Sequence, residues 1–521
     1  MRVIHSAPVG HGELLVDPPF DRWRALAEKN HRAGCEWDVR IAGVPLATLR
    51  EQARGETLRE ASAYSAVLGV SVQDAPSAPG LVVVTGHQPE LYHPGVWVKC
   101  FLAQRFSDET GAAALDIVVD SDTFDKVALE TPCLKRGVGR CESVLARDGA
   151  DVPFACAPPP SVEEVRAFRS AGLAGLQTLP APALARHFCL FVDELEAAIV
   201  RANNLADAIT IARRRYEAPA GTRYLELPVT RQARTQAFTR LVAHIALDAE
   251  HFAAVHNAEL ATYRRETGAR SSAQPFPDLR AGHDAVELPF WWVAASGRRP
   301  LWVQTSTPAL LVDGEVVLAL DRDPELTHRA LLRAGLPIAP RALTLTLFER
   351  LFVADLFIHG VGGGRYDQVT DAVIASYLGI EPPHFAVASL TLLLPLGGHE
   401  VTDDEIASAE QRLNRLRHNP DQLLGEIEFD TAEDRHHALA LADEKRQLVQ
   451  AIAQEGADKK MIGRRIREIN EELAMLMSPL AEQAAADVER LRAQRETAEV
   501  LRDRSYPFCL WDPREVADKV R

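Results

Sequence analysis

Residues 81–101 read LVVVTGHQPELYHPGVWVKCF, and residues 355–379 read DLFIHGVGGGRYDQVTDAVIASYLG. Each starts with a short run of Val, Leu, Ile or Phe, passes through Gly, His and polar residues, and continues into a helix-compatible segment. Such a junction aims backbone N–H groups and the positive end of a helix at one point, which suits a bound anion. Two of them about 275 residues apart predict an α/β core. Its ligand site would gather distant loops at the C-terminal ends of strands.

Working outward, GVWVKCFLAQRFSDETG is an amphipathic helix and LDIVVDSDTFDKV a second strand, which completes a βαβ unit. Residues 1–78 read as a mainly helical segment ending in SVQDAPSAPG, and 79–156 as the first half of the core. Within that half, Cys133 and Cys141 flank LKRGVGR, a turn between strands. Residues 157–285 form a helical connecting insertion. Its long last pattern has Thr230 as the expected N-cap and Gly268 as the expected stop. Residues 286–400 return to the core. Asp313-Gly314 marks a hairpin there, and VASLTLLL (387–394) adds a buried strand.

Residues 401–504 are rich in Ala, Leu, Glu, Arg and Gln. Leu441, Leu448 and Ile452 follow helical spacing, with Lys445 interrupting the stripe. Ile462, Ile466, Ile469, Leu473 and Leu476 repeat it beyond the polar break EGADKK. The expectation is an antiparallel coiled-coil hairpin of helices near 432–455 and 459–502, and a homodimer formed through it. SYPFCLWDP opens a tail, 505–521, that docks back on the core.

At 521 residues, with 47% apolar and 25% charged residues, the chain predicts a globular protein of several domains. The net charge of −15 (58 basic against 73 acidic) argues against nucleic-acid partners. Seven Cys with no CxxC pair argue against a structural zinc site. No run of 18 apolar residues is present, so the expectation is a cytoplasmic protein with small-molecule substrates and no membrane partner.

The candidate site residues lie at the junctions. His87, Gln88 and His93 are hydrogen-bonding groups between a buried strand and a helix. The alternative is that the two histidines cap or pack. Asp120, Asp122 and Asp125 follow the second strand, where they could bind Mg²⁺, hold an amine or act as a base. The alternative is a turn that uses Asp for backbone hydrogen bonds. In HGVGGGRYD, His359 ends a strand, and Gly360, Gly362, Gly363 and Gly364 crowd into five positions. Arg365 would sit beside a bound anion. The stretch lacks the Walker A ending and the GxGxxG spacing, and a packing turn is the competing reading. Arg264, Arg265 and Arg270 could form an anion-binding loop, and the alternative is a solvated face.

Taken together, the layout resembles the cysteine-adding enzyme family of bacillithiol biosynthesis, which are cysteine ligases. TGHQ (85–88) with Pro94-Gly95 and Trp97 resembles the family's first strand exit. VVDSDTFDKV resembles its acidic segment, and FIHGVGGGRY its strand-GGPGE junction. The C-terminal helices are similar to its coiled coil. Thr123, Asp122 and Gly363 depart from the family pattern, and Lys99 lies about two positions early. His93-Pro94-Gly95 is also similar in part to the His-x-Gly-His signature of nucleotidyl-transferring Rossmann-like folds, with Val96 replacing the final His.

The resemblance implies an α/β, Rossmann-like core with a mainly parallel sheet, helical insertions and a coiled-coil hairpin. It implies joining a cysteine-like amino acid to an amine-bearing molecule, with ATP or ADP and Mg²⁺ involved. His93, Gly95, Gln88, His359 and the 360–364 glycines would then contact the nucleotide. Asp120, Asp122, Asp125 and His87 would serve the reacting groups, and Arg365 would stabilise developing negative charge. The alternative is a non-catalytic nucleotide- or metabolite-binding protein that assembles through its helices.

Overall fold

The computed structural model describes residues 6–73, 80–134, 138–147, 151–268, 277–397, 401–426, 429, 431–454 and 457–521. They fall into two units, Met1–Leu393 with Arg504–Arg521, and Leu394–Asp503. The first unit is built on six strands: β1 (Leu14–Asp17), β2 (Val82–His87), β3 (Ala113–Val118), β4 (Leu225–Pro228), β5 (Leu356–His359) and β6 (Ala386–Leu390). Their order in the sheet is β1-β6-β5-β2-β3-β4. Every neighbouring pair is parallel except β1 with β6, an antiparallel edge. Val82, Val83 and Val84 are fully buried, as a strand covered on both faces requires.

Four helices matter for the site: α1 (Leu46–Ser65), α2 (Pro94–Thr110), α3 (Leu205–Glu217) and α4 (Val361–Val373). The local signals for α2 agree with each other. His93 caps it by accepting the Gly95 N–H at 3.0 Å, Pro94 takes the first turn, and Gly111 closes it at φ 74°.

The mainly parallel sheet was expected, and the two junctions do lie on neighbouring strands. Two strands differ from the sequence reading. The segment 1–78 supplies edge strand β1 as well as its helices, and the insertion 157–285 contains core strand β4. Both runs, LLVD and LELP, are four residues long, too short for a periodicity to show. β4 also carries Glu226, which looks solvent-facing until Arg213 is placed against it at 2.5 Å.

The expected long helix after residue 230 is broken. Thr230 caps nothing, Thr235 caps Gln236–Leu247, and Ala249–Thr267 follows, ending at Gly268 as expected. The strands flanking LKRGVGR pair as an antiparallel hairpin, Lys126–Cys133 with Gly139–Arg147; residues 135–137 of the turn lie outside the described residues.

The strands at 285–319, with Ile338–Pro340, form a separate antiparallel sheet. Asp313 and Gly314 both take positive φ, 51° and 86°, as the expected tight hairpin turn requires. At the C-terminus, Phe508 donates its N–H to Tyr92 O at 2.7 Å and packs on Trp97, so the tail docks beside the first junction.

Among its described residues the second unit holds four α-helices: α5 (Asp403–His418), α6 (Ala432–Ala451), α7 (Lys459–Leu476) and α8 (Ser478–Leu501). α6 packs on α7 around Ala438, Leu441, Ile469 and Leu473. α5 runs antiparallel to α8: Arg492 pairs with Glu410 at 2.8 Å, and Arg495 with Asp403. The helix expected over 459–502 is thus divided at Met477, and its second half packs on a helix upstream of 432. Pro479 explains the break, because its ring and missing N–H cannot continue α7. Lys445, which interrupts the apolar stripe, is buried against Asp421 at 2.5 Å. Residues 455–456 of the break EGADKK lie outside the described residues.

Candidate functional site

Because β5, β2, β3 and β4 are parallel neighbours, their C-termini His359, His87, Val118 and Pro228 share one edge. Phe357 pairs with Val84, and Thr85 donates to Ile358 O at 2.9 Å, so the two junctions emerge side by side. This is where ligand loops collect in parallel sheets.

At the first junction most predicted groups have protein partners. His87 is half-buried and stacks edge-on against Tyr92. Burial, helped by the Lys99 charge, pulls its imidazole down to about 3, so it is neutral at pH 7. Gln88 donates to Asp122 at 2.9 Å, and Arg298 from the second sheet pairs with the other Asp122 oxygen. The Arg298 guanidinium also lies over Trp291 at 4.5 Å. His93 is the α2 cap. A Cβ on Gly95 would come within 2.3 Å of Arg504 and 2.7 Å of Ser389. Gly95 is therefore explained by close protein packing. Lys99 is buried and donates to Gly86 O at 2.7 Å.

The three aspartates do not act together. Asp125 is exposed. Asp122 is tied to Gln88 and Arg298. Asp120 is buried and accepts from the Thr230 N–H at 2.9 Å and from the Thr230 hydroxyl. Burial pushes its carboxyl up to about 6, against the pull of the Thr230 bonds. No cluster of three or more His, Cys, Asp or Glu side chains among the described residues is arranged for a metal ion.

Asp120 forms part of the wall of a cleft of about 810 Å³ at the ends of β3 and β4. Arg59 of α1, with Arg231 and Arg234 beyond β4, also lines it. No carboxylate stands within ion-pairing distance of these three guanidiniums among the described residues; Arg231 lies 5.1 Å from the Tyr64 ring centre. Glu56 and Glu60 line the same cleft, and Glu56 accepts the Gln236 N–H at 2.9 Å. The cleft therefore presents unpaired positive charge beside a buried acid that titrates near neutrality. That combination can hold an anionic ligand and take a proton from it.

At the second junction, Gly360 is the N-cap of α4, and Gly362, Gly363 and Gly364 form its first turn. None has positive φ. A Cβ on Gly364 would meet Val387 at 2.5 Å, and one on Gly363 would meet His359 Nδ1 at 2.9 Å. Gly360 and Gly362 have nothing within 4 Å of such a Cβ. Two glycines are thus explained by packing and two open outward. Arg365 is exposed one turn into the helix, where its charge bears on Tyr263. In the other basic loop, Arg264 pairs with Asp278 at 2.8 Å and Arg265 bonds Thr262. Arg270 lies outside the described residues.

Sequence reasoning missed Arg59, Arg231, Arg234 and Thr230 as site residues. TRQAR (230–234) follows Pro228 directly, and recognising LELP as a core strand would have placed it at the ligand edge. The chain matches no protein-family model and no curated protein sequence. The site is therefore read from its own geometry.

Proposed function

We propose that the chain is a small-molecule ligase, similar in reaction to the cysteine-adding enzymes: it joins a cysteine-like amino acid to an amine-bearing molecule with a nucleotide involved. The supporting observation is the cleft in which buried Asp120, with its carboxyl near 6, faces unpaired Arg59, Arg231 and Arg234. In this reading the ionised Asp120 takes the proton of an ammonium group, leaving a neutral amine as the nucleophile. The amine nitrogen attacks the activated carboxyl carbon, and the phosphate-bearing leaving group departs. The arginines neutralise substrate carboxylates. The open start of α4 at Gly360 and Gly362 neutralises phosphate. Mg²⁺ enters only as the counter-ion of the nucleotide's phosphates.

We read the core as Rossmann-like, and the second unit as a coiled coil that makes a cytoplasmic homodimer. Leu439, Val449, Met461 and Met475, which stay exposed on that unit, support an apolar contact. The decisive measurement is exchange of labelled pyrophosphate or phosphate into ATP with candidate amino acids, followed by product analysis with amine acceptors. No exchange and no product with any pair would refute the ligase. Light scattering that gives a monomer mass at micromolar concentration would refute the dimer.

A second reading, a non-catalytic binding protein, draws on one observation: Asp122 is already engaged by both Gln88 and Arg298. Ligand-induced stabilisation without turnover would favour it.

A further inference from the structure

His359 is 95% buried at the end of β5 (5% exposed). Phe357 and Phe385 stand 4.5 and 4.9 Å from its ring centre. Its Nε2 lies 2.9 Å from Asp367 Oδ2. Asp367 is itself held by the Thr346 hydroxyl at 2.7 Å and by Arg350 at 2.5 Å, and Arg350 also bonds Asp371. These partners keep Asp367 well below the usual carboxylate range, so it is ionised and can only accept. Nε2 must then carry the proton. Burial lowers the imidazole's own pKa, with Arg350 and Lys99 adding to that and Asp367 opposing it. The ring is neutral, and Nδ1 is a bare lone pair.

Nδ1 has no hydrogen-bond partner among the described residues. It stands 2.9 Å from the place a Gly363 Cβ would occupy. There the first-turn N–H groups of α4, those of Gly362 and Gly363, have no helical acceptor. A Cβ on the neighbouring Gly362 would meet nothing within 4 Å. Donors that favour an anion and an acceptor that demands a proton therefore share one small space.

We infer that this space is a site for a protonated terminal phosphate, as in free phosphate or the end of a nucleotide's phosphate chain: its anionic oxygens take the Gly362 and Gly363 N–H groups, and its remaining P–OH donates to His359 Nδ1. Asp367 acts as the positioning residue that fixes the accepting tautomer. The inference rests on the anion reading of the glycine run and adds a requirement to it: the anion must carry a proton. Sulfate has the same shape and no proton at neutral pH, so a lone pair facing the ligand discriminates against it.

The test is calorimetric titration of inorganic phosphate, sulfate and ADP into the full chain at pH 6, where a terminal phosphate with a second pKa of about 6 is about half protonated and sulfate carries no proton. Phosphate should bind about fivefold or more tighter than sulfate, the worth of one hydrogen bond to an unpaired acceptor. His359→Gln should bring the two within about twofold, with melting curves as the folding control. Tighter binding of ADP than of phosphate would assign the terminal phosphate of a nucleotide as the source. Because His359→Gln removes a buried partner of Asp367, ¹⁵N spectra of wild-type imidazole nitrogens supply a second reading. The His359 Nδ1 resonance should move with phosphate and stay still with sulfate. Equal binding of both anions, or an unmoved Nδ1, overturns the proton requirement and leaves the anion site standing. Failure of every anion to bind overturns both.

Discussion

Two arginine pairs less than twenty residues apart have opposite fates. Arg213 and Arg214 of α3 are buried, and their guanidiniums meet Glu217, Glu226 and Asp116 at 2.5–3.4 Å. Arg231 and Arg234 sit just past β4 with no carboxylate in reach among the described residues. The first pair neutralises acids that the parallel sheet has buried, including Asp116 within β3 and Glu226 within β4. The second pair stays exposed and lines the cleft. A satisfied buried charge reports on architecture, whereas an unsatisfied charge lining a cleft reports on a ligand.

Removing a member of the buried set should have the largest effect. Arg213→Ala leaves Glu226, Glu217 and Asp116 short of a cation and should destabilise the fold by about 3–5 kcal/mol. Urea unfolding measures it. A loss under about 1 kcal/mol would show that the cluster is not structural, and the contrast would collapse.

Next comes a buried acid without an arginine. Glu349 is fully buried, and no well-formed hydrogen bond reaches either carboxyl oxygen. The Gln232 amide is the polar group that bears on it, and burial pushes its carboxyl up to about 8. Between the usual value of 4.5 and about 8 the unfolded chain releases this proton while the folded chain keeps it. Stability therefore falls as pH rises through that window, by about 5 kcal/mol in all. Glu349→Gln should flatten the dependence of melting temperature on pH across that range. Parallel curves for wild type and variant would show that Glu349 does not hold its proton.

The cleft pair should affect affinity and leave stability alone. Arg231→Ala with Arg234→Ala should weaken binding of an anionic ligand found by thermal-shift screening by about 1.5–3 kcal/mol per lost charge-assisted bond. The melting midpoint should change by the equivalent of about 0.5 kcal/mol or less. A large loss of stability with unchanged affinity would move these residues into the first class.

The smallest effects divide the glycines by the same logic. Gly364→Ala places a methyl 2.5 Å from Val387 and should destabilise by about 1–3 kcal/mol. Gly362→Ala meets nothing within 4 Å at negative φ, so it should leave stability unchanged or raise it by up to about 1 kcal/mol. If both destabilise alike in chemical denaturation, the run is only a packing turn.

Much of the frame is legible in the chain itself. LVVVTG and DLFIHG declare buried parallel strands because short apolar runs ending in Gly leave few alternatives. Asp313-Gly314 declares its hairpin, Gly268 its helix stop, and residues 403–501 their helices. These are local signals, carried by a few adjacent residues, and the physics that reads them is local too. The strands LLVD and LELP were not legible, since four residues carry no period and Glu226 looks exposed until Arg213 arrives from another element. Nor could spacing tell that Gly95 faces Arg504 and Gly364 faces Val387, whereas Gly362 faces nothing. The same holds for the aspartates: Thr230 takes up Asp120, and Gln88 with Arg298 takes up Asp122. Hydrophobic period and turn chemistry determine the elements and their faces. Whether a charge, a glycine or an imidazole nitrogen is satisfied depends on groups far away in sequence, and only tertiary packing brings those groups within a hydrogen bond's reach.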